Sequence, residues 1–190
     1  MRWGKTGFRI TLIAAGIAMA ATLASSQTAL DLDGRPINPF AQNGNKITVL
    51  VFLRRDCPVS GRYAPVIQQI SKQYADRADF WLVYPDRADT AQAIRKTVDE
   101  FGYRLPVLRD TDRALVKLSH VQITPEVAVF NRNRQLVYDG RIDNWYVDLS
   151  RARPSPTTHE LENAIRIAEA GGQMAHNEVR GVGCYIADLQ

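Results

Sequence analysis

Apolar residues in this chain follow two alternating patterns, short continuous runs and stretches with helical spacing. Residues 46–53 (KITVLVFL) form an almost unbroken apolar, β-branched run, which is typical of a central strand covered on both faces. Directly after it, apolar side chains recur at helical spacing from Pro58 to Tyr74, and proline suits the first turn of a helix. The pattern predicts a helix that begins where a buried strand ends.

The same patterns alternate over the rest of the chain. They predict strands at 79–84, 126–131 and 135–142, an extended segment at 105–108, and helices at 89–101, 111–119 and 157–170. Polar and turn-forming residues predict a hairpin or loop at 27–46 and a loop at 143–156. Strands that alternate with helices before a terminal antiparallel hairpin indicate an α/β fold, with a central mixed β-sheet flanked by helices.

The start of the chain has the layout of a secretory signal. Its positive charges come first: Arg2, Lys5 and Arg9. Residues 10–24 are almost all apolar, and small residues follow. Because the apolar run is shorter than the roughly 20 residues that cross a bilayer, we expect cleavage after Ala24 or Ser26. The mature protein would then be periplasmic or secreted from a bacterium, with membrane attachment only if the signal stays uncleaved.

This signal divides the chain into three predicted parts, residues 1–26, a domain at 27–172 and a tail at 173–190. The signal holds three of the 24 Lys and Arg residues and no acidic residue. Its removal leaves 21 basic against 20 acidic residues, so the formal net charge of +4 belongs mainly to the signal. Without a basic stripe interleaved with aromatic residues, nucleic-acid binding is not expected.

The mature chain contains two cysteines, Cys57 and Cys184. In an oxidising compartment they can form a disulfide, either a static link from tail to domain or a reactive pair. Cys57 lies between a strand end and a helix start, where unpaired backbone N–H groups and the helix dipole stabilise a thiolate. Arg54 and Arg55 could add to that stabilisation, whereas Asp56 would oppose it.

The segment VLVFLRRDCPVSGRYAP resembles the strand, active-site turn and helix of the thioredoxin superfamily. In that superfamily a W-C-x-x-C turn precedes a helix with a proline eight residues after the first cysteine, and here Pro65 stands eight after Cys57. The resemblance implies that Cys57 is the nucleophile. Ser60 stands at the position of the second cysteine, and Asp56 replaces the usual tryptophan. Pro58 and Arg55 complete the turn as expected supporting residues.

A second motif, Ile123-Thr124-Pro125, resembles the loop whose cis-proline faces the active-site cysteine in the same superfamily. The resemblance implies that Thr124 and Pro125 hold the backbone of the substrate. Residues 79–105 resemble the extra strand and helix of the redoxin, TlpA-like and AhpC/TSA-related peroxiredoxin branches. The likeness extends over about residues 28–170.

Three motifs together, D-C-P, T-P-E-V and G-C-x-I, resemble a group of exported redoxin-domain proteins. They start at Asp56, Thr124 and Gly183. The resemblance implies that Cys184 can act as the resolving thiol, because Ser60 cannot attack a mixed disulfide. Glycines at positions 181 and 183 would let the tail approach the active-site turn closely.

These features favour an exported thiol–disulfide oxidoreductase without a cofactor. Its partners would be a protein or small-molecule thiol or disulfide and an external thiol reductant. The alternative interpretation is a non-catalytic, disulfide-stapled module that binds a redox or metalloenzyme partner. A peroxidase is disfavoured, since Leu50 and Arg54 occupy the Pro and Thr positions of P-x-x-x-T-x-x-C.

A copper carrier is also disfavoured, because Gly61 replaces the second cysteine of a C-x-x-x-C site. The three histidines, His120, His159 and His176, show no tight ligand spacing. No metal site is therefore predicted, although His176 could join the two cysteines around copper or zinc.

Overall fold

A computed structural model describes residues 27–41, 45–174 and 180–186. The strands in these ranges are β1 (Ala29–Leu30), β2 (Pro36–Ile37), β3 (Ile47–Phe52), β4 (Ala78–Tyr84), β5 (Val107–Arg109), β6 (Ile123–Thr124), β7 (Glu126–Phe130), β8 (Leu136–Gly140) and β9 (Cys184–Tyr185). The helices are α1 (Pro58–Arg62), α2 (Ala64–Gln73), α3 (Ala91–Glu100), α4 (Ala114–Ser119) and α5 (Glu160–Glu169). The predicted signal and His176 lie outside the described residues.

Seven of these strands form one mixed sheet in the order β2-β1-β5-β4-β3-β7-β8. Strands β3, β4 and β5 run parallel, while β7 pairs with β3 and with β8 in antiparallel fashion. Strands β6 and β9 form a separate two-stranded sheet. The predicted α/β architecture, with a mixed sheet flanked by helices, is confirmed.

Strand β3 lies at the centre of the core, as its unbroken apolar sequence predicts. All six of its residues are buried. Val49 and Val51 face a cluster that includes residues of α2 and α5, whereas Leu50 and Phe52 face a second cluster that includes residues of α4. Burying each side chain of this size contributes roughly 1.5–3 kcal/mol, so the strand holds the turn that follows it firmly in place.

The helical stretch predicted from Pro58 to Tyr74 is two helices, α1 and α2, with Tyr63 between them. The break has a local cause, because Pro65 has no N–H to donate to the preceding turn and its ring crowds that turn. Pro65 instead takes a place in the first turn of α2, where a missing N–H is harmless. The short helix α1, which follows directly on Cys57, is therefore separate from α2.

The terminal hairpin β7–β8 and the extra strand and helix, β4 and α3, also lie where the sequence predicts them. Helix α3 begins at Ala91, two residues after the predicted start, because Thr90 is its N-cap and accepts a hydrogen bond from the Ala93 N–H at 3.2 Å. Strand β9 has no counterpart among the predicted elements. No helix among the described residues is long and apolar enough to span a membrane.

Candidate active site

Cys57 is the N-cap residue of α1, at the carboxyl end of β3. The Leu53 N–H donates to the carbonyl of Val83 at 2.9 Å and keeps the chain in the sheet until the turn begins. The carbonyl of Cys57 accepts from the Gly61 N–H at 3.3 Å and opens the helix. The Cys57 side chain is 2% exposed, so its sulfur lies at the floor of the site.

The surroundings of the Cys57 sulfur lower the pKa of this thiol. Burial alone would raise it, but hydrogen bonds from the Cys184 thiol, from the backbone N–H and side chain of Ser60, and from the Val59 N–H stabilise the thiolate and outweigh burial. When protonated, the Cys57 thiol donates to the carbonyl of Thr124 at 3.3 Å. The peptide bond from Thr124 to Pro125 is cis, as predicted.

Cys184 reaches the site on strand β9, which pairs with β6 in antiparallel fashion. Thr124 lies directly opposite Cys184, and Ile123 lies opposite Tyr185. The Thr124 hydroxyl donates to the carbonyl of Cys184 at 3.2 Å, and the Ile186 N–H donates to the carbonyl of Gln122 at 2.9 Å. The edge expected to hold a substrate backbone is thus paired with the protein's own tail.

The two thiols are free and differ in acidity. Burial and the neighbouring Cys57 raise the pKa of Cys184 to about 11, opposite to the shift at Cys57. Cys57 therefore ionises first, and Cys184 remains the hydrogen-bond donor of the pair.

A buried carboxylate anchors the tail beside the cysteines. Glu126 is fully buried, and its Oε1 atom accepts from the Gly181 N–H at 2.7 Å. Its Oε2 atom accepts from the N–H groups of Gln122 and Ile123 at 3.2 and 3.3 Å. Arg180 lies 3.8 Å from the same carboxylate. One side chain thus ties β6 to residues on the tail.

Glu126 and Arg180 are functional candidates that the sequence did not single out. Arg180 also pairs with Asp139 of β8 at 3.3 Å, so the tail is tied to the main sheet as well. The sequence feature that could have indicated Glu126 is the presence of an acidic residue within the otherwise apolar strand sequence TPEVAVF. A carboxylate in a buried strand needs partners, and here the tail supplies them.

Two glycines allow the tail to lie against the cis-proline loop. A Cβ atom at Gly183 would stand 1.9 Å from the carbonyl oxygen of Thr124. A Cβ atom at Gly181 would stand 2.8 Å from the carbonyl oxygen of Pro125. Any other residue at these positions would push the tail away from the loop. The sequence predicts this close approach at the turn that carries Cys57, whereas the contacts of both glycines are to the loop of Thr124 and Pro125.

The two arginines of the turn are paired with carboxylates, one within the turn and two after strand β4. Arg54 lies 2.9 Å from the carboxylate of Asp56 and 3.6 Å from that of Asp86. It also donates to the carbonyl of Tyr185 at 3.0 Å and so fixes the turn to the tail. The charge of Arg54 lowers the pKa of Cys184, and Asp56 raises it. Arg55 donates to the buried Asp89 at 3.0 Å.

The remaining supporting residues of the turn are Ser60 and Pro58. Ser60 is 3% exposed, and its hydroxyl accepts from the Arg54 N–H at 3.4 Å while it also stabilises the Cys57 thiolate. Ser60 therefore contributes to the lowered pKa of Cys57. Pro58 is exposed and lines the opening to Cys57.

That opening is a cleft of about 270 Å³, called here the Cys57 cleft. Its lining residues are Arg55, Asp56, Cys57, Pro58, Gly61, Arg62 and Phe101. Phe101 forms one wall, since its ring lies so close to Gly61 that a Cβ atom there would stand 2.6 Å from it. None of residues 180–186 of the tail lines this cleft.

The two histidines within the described residues, His120 and His159, lie at the ends of helices. His120 ends α4 in a left-handed conformation and accepts a hydrogen bond from Arg180 through its backbone carbonyl. His159 precedes the first residue of α5. Within residues 27–41, 45–174 and 180–186, no group of three or more His, Cys, Asp and Glu side chains is placed to hold a metal ion.

Comparisons with known proteins agree with this architecture. Residues 44–136 match the family model of thioredoxin-like proteins. A conserved protein of Geobacillus kaustophilus has a TM-score of 0.69 at 20% identity, covering 84% of this chain and 86% of that one. A hypothetical protein of Sinorhizobium meliloti has a TM-score of 0.66 at 21% identity, covering 84% and 88%. A comparison with curated proteins finds no match.

A third solved structure is that of a secreted Mycobacterium tuberculosis disulfide oxidoreductase homologous to E. coli DsbE. Its TM-score is 0.52 at 20% identity, covering 75% of this chain and 96% of that one. At such identities a structural likeness shows the fold. The mixed sheet, the cysteine at the end of its central strand, the cis-proline opposite and the match of residues 44–136 together show that this chain has a thioredoxin-like fold.

Proposed function

We propose that this protein is an exported thiol–disulfide oxidoreductase in which Cys57 is the nucleophile and Cys184 the resolving thiol. The observation that carries the proposal is the pairing of two free thiols with opposite pKa shifts, a lowered one at Cys57 and a raised one at Cys184. Thiol–disulfide exchange needs a thiolate at the attacking sulfur and a second thiol within reach. Both requirements are met without a cofactor.

The reaction would take two exchange steps. The Cys57 thiolate attacks one sulfur of a substrate disulfide, forms a mixed disulfide and releases the other half of the substrate as a thiolate. Cys184 then loses its proton and attacks the Cys57 sulfur, which releases the second substrate thiol and leaves a Cys57–Cys184 disulfide. Protons from the medium and from Cys184 convert the products to thiols. An external dithiol would reduce the protein and restore both cysteines.

The surrounding residues have supporting roles in this scheme. Thr124 accepts from the Cys57 thiol and aligns Cys184 across the β6–β9 pair. Pro125 shapes the loop between them, and Ser60 stabilises the thiolate. Glu126 and Arg180 would hold the tail so that Cys184 does not have to search for its target. Holding two reacting groups in the right geometry accelerates the reaction between them.

Export is part of the proposal and rests on two observations. The sequence of residues 1–26 has the layout of a cleavable signal. One of the solved structures with this fold is described as a secreted disulfide oxidoreductase. The direct test is the N-terminal residue of the mature protein, which we expect to be Ser25 or Gln27 after processing. Recovery of the uncleaved chain from the cytoplasm would contradict export.

The test of the chemistry is alkylation of both cysteines across a series of glutathione redox ratios, followed by mass spectrometry that measures each cysteine separately. If the two cysteines form a working redox pair, the Cys57–Cys184 disulfide should form and break reversibly at a reduction potential of roughly −180 mV or above, as in the oxidising compartments that receive exported proteins. Replacement of either cysteine by serine should abolish the link and turnover with a disulfide substrate.

A static disulfide is the second candidate, since Cys57 is only 2% exposed and the tail fits closely over the loop. In that case the protein would be a stapled module that binds a redox or metalloenzyme partner. The same titration distinguishes the two, because a link that stays closed below roughly −300 mV is typical of structural disulfides. That outcome would favour the binding module over the oxidoreductase as the function of this protein.

A further inference from the structure

The edge of β6 beside Cys57 is closed to a peptide while the tail is in place. Both residues of β6 pair with β9, and the Ile186 N–H bonds to Gln122 beyond it. An extended peptide adds to a sheet through such unpaired backbone groups. It could pair with Thr124 only after residues 180–186 had left, which would also remove Cys184 from Cys57. A substrate that uses Cys184 must reach Cys57 by another route.

The Cys57 cleft is that route. It is lined by Pro58 and Gly61 but by no residue of β9, and its volume of about 270 Å³ is close to the lower limit of small-molecule pockets, roughly 300 Å³. The exposed Phe101 ring supplies an apolar wall. A cleft of this size admits a low-molecular-weight disulfide and is too small for a folded polypeptide.

The charged groups of the cleft favour an anion. Arg62 is exposed, and its guanidinium donates to the Tyr146 hydroxyl at 3.2 Å. No carboxylate of the described residues forms an ion pair with Arg62. Arg55 binds Asp89 through its Nε atom at 3.0 Å, and its side chain is partly exposed. The carboxylate of Asp56 is engaged by Arg54 at 2.9 Å.

We infer that the substrate which reaches Cys57 is a small disulfide of carboxylate-bearing thiols, held in the Cys57 cleft by Arg62 and Arg55. This inference rests on the proposed function and names its substrate class. Guanidinium groups bind carboxylates through paired N–H donors, and the disulfide of such a molecule would lie over Pro58, next to the Cys57 sulfur. The step conserves atoms and electrons: the protein dithiol becomes a disulfide, and one small disulfide becomes two thiols.

The experiment measures the first exchange step alone. In a Cys184→Ser background the mixed disulfide at Cys57 cannot be resolved, so its formation can be followed by mass spectrometry after acid quenching. Three probes of similar size are compared: dithiodipropionate with two carboxylates, bis(2-hydroxyethyl) disulfide without charge, and cystamine with two ammonium groups. Each rate is divided by that of a free cysteine peptide, which removes the intrinsic reactivity of the probe.

We expect the normalised rate to be highest for dithiodipropionate and lowest for cystamine. Arg62→Gln should reduce the dithiodipropionate rate about fivefold, the upper range for an exposed charge pair, and leave the neutral probe within twofold. Arg134→Gln is the matched control, because Arg134 lies in the β7–β8 turn at the opposite end of the sheet from Cys57. This control should not change the order of the three probes.

A disulfide-bonded peptide is the fourth probe and should react more slowly than dithiodipropionate on the same scale. Three results would overturn this inference without contradicting the proposed oxidoreductase activity. The normalised rates of the three small probes could be equal, or Arg62→Gln could lower all three rates by the same factor. The peptide could also react as fast as dithiodipropionate. Failure of Cys57 to form a mixed disulfide with any probe would instead contradict the proposed function, so the two failures are distinguishable.

Discussion

Gly183 lies against Thr124 so closely that a Cβ atom on the glycine would stand 1.9 Å from the threonine carbonyl oxygen and 2.7 Å from its carbonyl carbon. The same oxygen accepts the hydrogen bond from the Cys57 thiol. Both neighbouring atoms belong to the backbone, so they cannot rotate away as a side chain could. The position of Cys184, one residue later, therefore depends on a residue without a side chain.

Gly183→Ala should consequently move the tail off the loop. We expect faster hydrogen exchange at the Ile186 amide, which bonds to Gln122, and slower closure of the Cys57–Cys184 disulfide after oxidation. Gly172→Ala is the matched control, since its Cβ atom would meet the Ile167 side chain at 3.1 Å, which can adjust. Unchanged exchange at Ile186 in Gly183→Ala would contradict the tail docking described here.

Glu126→Gln tests the buried anchor of the tail. The amide keeps one acceptor oxygen but loses the negative charge beside Arg180 and one of the acceptors for Gly181, Gln122 and Ile123. Hydrogen bonds to charged groups contribute about 1.5–3 kcal/mol, so we expect the docked tail to weaken by about that amount. The measurement is exchange protection of residues 180–186 at fixed pH.

The control for this substitution is Glu169→Gln, because Glu169 pairs with Arg77 at 3.4 Å on the surface. Exposed ion pairs contribute about 0.2–1 kcal/mol, so protection of the tail should stay unchanged in this variant. If Glu126→Gln left the tail as protected as in the wild type, the carboxylate would not be its anchor.

The sequence predicts the main sheet well because its elements are determined by local patterns. An unbroken apolar run such as β3 has few stable alternatives to a buried strand, and Thr90 marks the start of α3 by its own side chain. Pro65 divides the predicted first helix in two, an effect that its missing N–H explains. These features depend on residues close in the chain.

Strand β9 could not be predicted in the same way. It has two residues, too few for an alternating pattern, and its partner β6 is equally short. Its place depends on Glu126 and on close approach at Gly183, both of which are contacts between distant parts of the chain. Only the joint occurrence of the motifs around Thr124 and Cys184 indicated that the tail and the loop belong together.

Ser60→Ala tests whether the residue at the position of the usual second cysteine serves the nucleophile. Loss of the hydroxyl removes one hydrogen bond to the Cys57 thiolate, so the pKa of Cys57 should rise and its alkylation by iodoacetamide at pH 7 should slow. Ser71→Ala is the matched control, because Ser71 is also buried on the helical segment and its hydroxyl donates to the carbonyl of Gln68 at 2.9 Å. An unchanged rate–pH profile in Ser60→Ala would exclude this role.

The opposite pKa shifts of the two thiols predict a stability maximum in the reduced protein. Because the pKa of Cys57 is lowered on folding, the unfolded chain binds its proton more tightly, and the free energy of unfolding rises with pH up to the ordinary thiol pKa, about 8.5. Cys184 has a folded pKa of about 11. Above about 8.5 the unfolded chain therefore loses this proton first, and stability falls as the pH rises towards that value.

The measurement is urea unfolding between pH 6 and 10 with a reductant present, expressed as the difference between the wild type and each cysteine variant. This difference cancels the tyrosines, whose titration is common to all three proteins. Cys57→Ser should remove the rise at lower pH, and Cys184→Ser should remove the fall above about 8.5. Cys184→Ser should also make the rise smaller, because the Cys184 thiol helps to stabilise the Cys57 thiolate. A difference that does not vary with pH would mean that the two thiols titrate independently of folding, and the acid–base roles assigned to them would be wrong.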